Sequence, residues 1–144
     1  MYRYGIAAVV IGVVVLLYAQ VMGVLEESPV TYSPQAPFPT DVPANGFIRV
    51  GDTVHFTATR CTSGTAPVSW TATSQLVRLS DGKTISYSMT ARTVDPGCVT
   101  TTGAVVIMAG TPDGFWQLRA TLIVQGHYRQ HIVEWRTEPF EIRA

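Results

Sequence analysis

Phe-Trp-Gln-Leu-Arg-Ala-Thr-Leu-Ile-Val, residues 115–124, alternates with a period of two. Trp116, Leu118, Ala120, Leu122 and Val124 fall on one side, with Gln117, Arg119 and Thr121 on the other. Successive side chains of an extended chain point to opposite faces, so this pattern predicts a strand with one buried and one solvated face. The same period recurs upstream. Within Asp52–Arg60 it sets Val54, Phe56 and Ala58 against Thr53, His55 and Thr57, and it returns at Val68, Trp70 and Ala72. Gln75–Ser80 and Lys83–Thr90 flank Asp81-Gly82, a dipeptide that predicts a two-residue hairpin turn. Gly103–Ala109 is a short apolar run, expected as a buried strand. Downstream, a turn near Gln125–Tyr128 leads into Gln130–Arg136. Pro139 breaks the register, and Phe140 and Ile142 resume it in opposite parity, as at a bulge.

Seven or eight such strands, sixteen threonines and no helical segment between residues 47 and 144 predict an all-β antiparallel sandwich. Thr111-Pro-Asp-Gly-Phe-Trp-Gln-Leu-Arg-Ala-Thr-Leu-Ile-Val124 resembles the penultimate strand of an immunoglobulin-like domain, in which an Asp-x-Gly-x-aromatic turn feeds the strand. Asp113, Gly114 and the aromatic Phe115 or Trp116 resemble that turn loosely, with Asp and Gly adjacent instead of one residue apart, and Trp70, nine residues after Cys61, resembles that family's core tryptophan. The chain departs from the family at Cys98, which precedes the Asp113 turn, so Cys61 and Cys98 do not match the family's paired-sheet cysteines. The resemblance covers about 98 residues and implies a binding or structural module rather than an enzyme.

The other end of the chain is of different character. Gly5 to Leu25 is a run of 21 residues with no charge and a single amide, Gln20. As a helix it would be about 31 Å long, the thickness of a bilayer's hydrocarbon core. Arg3 lies before it and Glu26 and Glu27 directly after, which orients the N-terminus to the cytoplasm and the remainder beyond the membrane. A cleaved signal peptide is the competing reading, although the run exceeds the usual 7–15 residues and lacks a clean Ala-x-Ala site. The expected organisation is therefore a transmembrane anchor over 1–27, a Pro-rich stalk over 28–46 and a β-sandwich domain over 47–144. Pro29, Pro34, Pro37, Pro39 and Pro43 predict an extended spacer. The alternative is that part of this segment packs along the domain.

Ten basic and ten acidic residues in 144 give zero formal charge, and no nucleic-acid partner is expected. Cys61 and Cys98, in a domain placed outside the cytoplasm, are expected to form a disulfide stapling loops at one pole. Two buried free thiols are the alternative. His127 and His131 do not make a zinc site, since four residues of strand span about 13 Å. Ser80-x-x-Lys83 straddles a turn instead of opening a helix, and the carboxylates fall at turns or on a solvated last strand. No catalytic residue, metal or cofactor is expected. Tyr128 and Arg129, at the tip of the last hairpin, are the candidate partner-binding pair. The sequence thus predicts a non-enzymatic, membrane-anchored module that binds a protein partner within an envelope or virion assembly, with self-association through an open sheet edge as an option. Nine arginines against one lysine point to GC-rich coding and a bacterial or bacteriophage source.

Overall fold

The computed structural model describes residues 2–35, 37–42, 46–87 and 89–143, with side chains from Ala8 onward. A single helix, α1 (Tyr2–Leu25), precedes ten strands. Those are β1 (Val30–Ser33), β2 (Phe47–Arg49), β3 (Thr53–Thr62), β4 (Val68–Arg78), β5 (Thr84–Ser86), β6 (Thr90–Val94), β7 (Gly97–Val106), β8 (Gly114–Gln125), β9 (Gln130–Arg136) and β10 (Phe140–Arg143). Apart from α1, the described chain is all-β.

No side chain between Ala8 and Leu25 is buried. A helix apolar on every side cannot fold against a core on one stripe and leave a polar face to water. Ala8–Leu25 is long and apolar enough to cross a membrane, a test that a signal sequence also passes.

The strands form two sheets. One has three strands in the order β1-β3-β7; the other has seven, ordered β2-β10-β8-β4-β5, with β6 also on β4 and β9 also on β8. Their facing sides make the core. The parity read from residues 115–124 is the one observed, with Trp116, Leu118, Leu122 and Val124 all buried. Val54 and Phe56 of β3 and Leu76 of β4 cluster with Trp116 and Leu118, while Val30 and Trp70 gather with Leu122 and Val124.

Four expectations need correction. The sheets are not purely antiparallel, because β10 runs parallel to β2, pairing Ile142 with Ile48. The Asp81-Gly82 hairpin is wider than two residues: the Arg78 amide donates to the Lys83 carbonyl, and Gly82 alone adopts positive φ, at 71°. Asp81 instead turns its carboxylate onto the Arg78 guanidinium and the Lys83 amide. The run at 103–109 is not a buried strand, for β7 is exposed along most of its length and Ile107, just past its end, carries the burial.

The fourth correction concerns the stalk. Val30 to Ser33 pair with Thr62 to Thr59 of β3, and Val30 is 1% exposed. Pro37 and Pro39 are buried, the Pro37 carbonyl accepts from the Glu138 amide, and the Thr40 amide donates to the His55 carbonyl. Proline lacks a donor but keeps its carbonyl, so a Pro-rich segment can lie along a sheet wherever acceptors are what the sheet requires. Ala36 and Pro43–Asn45, also part of the expected spacer, lie outside the described residues.

Candidate functional site

Two features set this domain apart from a closed two-sheet fold. The first is the junction of α1 with the tip of the β8–β9 hairpin. Glu26 continues the last helical turn, its amide donating to Met22. Its side chain is only 16% exposed, and the carboxylate sits in the turn at 127–129. There it accepts from the backbone amides of His127 (2.5 Å), Tyr128 (3.2 Å) and Arg129 (3.1 Å). Successive amides converging on one anion form a nest. The His131 ring adds a contact at 3.1 Å from Nε2, and the Arg129 guanidinium donates to the Glu26 carbonyl at 2.9 Å. Burial alone would raise the Glu26 pKa, but the His127 amide, the His131 ring and the amides of Tyr128 and Arg129 outweigh it and hold the pKa at about 2.

The turn can close on Glu26 because residue 126 is glycine. A Cβ there would stand 2.6 Å from both the Arg129 carbonyl oxygen and Glu26 Oε2, and 2.8 Å from His131 Nε2. Tyr128 and Arg129, chosen from sequence as an exposed pair, are therefore placed at the helix junction. Their main chain is occupied by Glu26 while both side chains remain exposed. Sequence reasoning missed Glu26 and Gly126. The available signal was a carboxylate at the very end of the apolar run and a Gly at a hairpin tip followed by His127 and His131.

The second feature is the free edge of the smaller sheet. β7 pairs with β3 on one side and, among the described residues, with no strand on the other. It runs ten residues, Gly-Cys-Val-Thr-Thr-Thr-Gly-Ala-Val-Val, without a charge or a proline. Cys61 and Cys98 face each other across β3 and β7, joined by a disulfide, with Cα atoms 4.0 Å apart. They do not sit in loops as expected; the bond staples adjacent strands of one sheet. So close a spacing marks a pair that exchanges no ladder hydrogen bonds. The main-chain groups of Cys98, Thr100, Thr102 and Ala104 consequently point to the open edge. In keeping with that parity, the next residue in the series, Val106, receives the Tyr87 hydroxyl on its carbonyl at 3.1 Å.

Beside this edge the core is divided. One cluster gathers around Trp116, Phe56 and Phe140, and a second around Val30, Trp70, Leu122 and Val124. Between them lies an apolar cleft of about 270 Å³, lined by the small residues Ala58, Ala72, Gly103 and Ala120 and by Tyr32, Phe56, Trp70 and Trp135 among others. Small side chains on both sheets leave the space unfilled.

No group of three or more His, Cys, Asp or Glu positioned to hold a metal occurs among the described residues. Asp41 is held below the usual carboxylate range by the His55 ring, against the effect of burial, with the His55 amide assisting. Asp81 is held at about 2 by the Arg78 guanidinium and the Lys83 amide. Both are tied to partners that hold the local chain.

No known protein family matches the sequence, and no curated protein matches it. Among solved structures the chain is similar to an alkylpurine DNA glycosylase, AlkC of Pseudomonas fluorescens (15% identity, 87% of this chain, 33% of that one, TM-score 0.50). It is also similar to a family 123 glycoside hydrolase from Clostridium perfringens (10% identity, 81% and 27%, TM-score 0.49) and to the sporulation control protein Spo0M of Bacillus subtilis (12% identity, 83% and 50%, TM-score 0.43). The chain thus spans about a third of the glycosylase and about a quarter of the hydrolase. At 15% identity the likeness to the glycosylase is one of fold alone.

Proposed function

We propose that this chain is a membrane-anchored, non-enzymatic assembly module: α1 crosses a bilayer with its N-terminus in the cytoplasm, and an immunoglobulin-like sandwich on the far side takes a strand of a protein partner. The observation that carries this reading is the β7 edge. Sheets ordinarily protect their edges with lysine, proline, bulges or short strands. The other outer strands here conform: β1, β2 and β5 have four, three and three residues, and β9 carries His131, Glu134 and Arg136. β7 is long and uncharged, and it borders an apolar cleft. An added strand would satisfy the main-chain groups of Thr100, Thr102 and Ala104 and seal the cleft with alternate side chains.

Arg3 just before the span, with no lysine or arginine after it until Arg49, supports the orientation. The disulfide fits an oxidising compartment, and an envelope or virion complex is the setting that would call for such a module. A released, periplasmic or secreted binding domain is the alternative. The test is photo-crosslinking in the native membrane from a benzophenone side chain at Thr102, compared with one at Lys83 on the β4–β5 turn. A single reproducible adduct from 102, absent from 83, is expected. Indiscriminate labelling from both positions would contradict strand capture at this edge.

A further inference from the structure

The hairpin tip and the end of α1 are fastened at residue 26, the first residue after the apolar span. No tether separates them. If α1 crosses a bilayer, Leu25 marks the hydrocarbon boundary, and the amides of residues 127–129 lie within one glutamate side chain of it. The headgroup layer on each side of a bilayer is about 5–8 Å thick, so a loop held there cannot clear it. Tyr128 goes lower still. Its Cβ lies 3.8 Å from where a Cβ on Gly23 would stand, beside a helix residue two positions, about 3 Å, inside the end of the span. Its side chain is 41% exposed and packs edge-to-face on the His127 ring, centroids 4.6 Å apart. Tyrosine with an apolar body and a polar tip is the residue type that collects at this depth. Arg129, also exposed, uses one donor on the Glu26 carbonyl, and a guanidinium offers five in a fork suited to phosphate.

We propose that the tip formed by His127, Tyr128 and Arg129 is a lipid contact, resting in the phospholipid headgroup layer of the membrane that α1 crosses, with Tyr128 against the last helical turn. The domain is then seated on the bilayer surface, and its orientation is set by the helix. This inference rests on the anchor reading above. It reassigns the hairpin tip from a protein partner to lipid and leaves the β7 edge as the protein-binding face.

The experiment uses the full-length chain in phosphatidylcholine–phosphatidylglycerol vesicles. Cys61 and Cys98 are joined to each other, so an introduced cysteine can be labelled alone with an environment-sensitive fluorophore. Three variants are compared: Val14→Cys in the middle of the helix, Tyr128→Cys at the tip, and Lys83→Cys at the opposite end of the domain. His127→Cys duplicates the tip in case replacement of Tyr128 disturbs it. Expected are quenching of the tip label by lipid spin-labelled at the headgroup or shallow acyl positions, quenching of the position-14 label by deep spin labels, and none at 83. A tip label unquenched like that at 83, with position 14 quenched, would overturn the lipid contact and leave the anchor standing. A blue-shifted but unquenched tip label would overturn it in favour of a protein cover. Absence of quenching at position 14 would remove the anchor, and the lipid contact with it.

Discussion

Glu26 is an acidic residue at the C-terminal end of a helix, where the helix dipole disfavours negative charge. Three amides, a histidine ring and the neighbouring Arg129 compensate for that placement. Because its pKa in the folded chain, about 2, lies below its ordinary value of 4.5, the ionised latch is fully in place above about pH 4.5 and is lost as pH falls towards 2. The amide resonances of His127, Tyr128 and Arg129 should therefore titrate with a midpoint near 2. Glu26→Gln should abolish that transition and speed hydrogen exchange at the same three amides. Asp41 and Asp81 are also held low, so overall stability changes across the same range and the readout must be local. A midpoint at the ordinary carboxylate value would show that Glu26 is not clasped. Nothing in a linear reading brings residue 26 to residues 127–129, since a capping contact across a hundred residues has no sequence period.

Among the elements, β8 holds the larger sheet together and was the most legible from sequence. Along its inward stripe from Trp116 to Val124 every residue is buried but the small Ala120, while on the other face Ile123 is exposed and Gln117 is the one buried residue. What alternation could not show is how one strand changes partner midway. β8 pairs with β9 over residues 119–125 and with β10 over 114–116. At the switch Thr137, fully buried, accepts the Leu118 amide on its hydroxyl at 3.1 Å, and its carbonyl accepts from the Gln117 side chain at 2.7 Å. The side chain stands in for a missing rung of the ladder. Thr137→Val keeps the shape and removes the acceptor, leaving a buried amide unpaired at a cost of about 1–3 kcal/mol. Lower thermal stability of the full-length chain in detergent should accompany faster exchange at Leu118, with Thr137→Ser restoring both. A neutral Thr137→Val would mean that water replaces the hydroxyl. The short strands β1, β2 and β5 were the least legible, because three or four residues give too little alternation to outweigh prolines or an Asp-Gly dipeptide.

At the scale of the molecule, seven strands face three, and the smaller sheet ends on an unprotected edge beside a cleft in the core. The long apolar helix, the period-two domain and the cysteine pair were readable from composition and spacing. The docking of β1 and residues 37–40 onto the domain was raised only as an alternative, because proline content argues for extension in solution and is silent on what an extended segment lies against. Their docking shortens the expected stalk to a few residues around Glu26–Ser28 and brings the domain down to the helix end. Everything proposed about location and partner then depends on α1 remaining attached. The most direct test is the intact mass of the chain recovered from the membrane fraction of its own source after alkaline washing. A membrane-bound species that retains the apolar run at residues 5–25 is the predicted result. A soluble species lacking the residues before Val24 would contradict it and make a released domain the account to pursue.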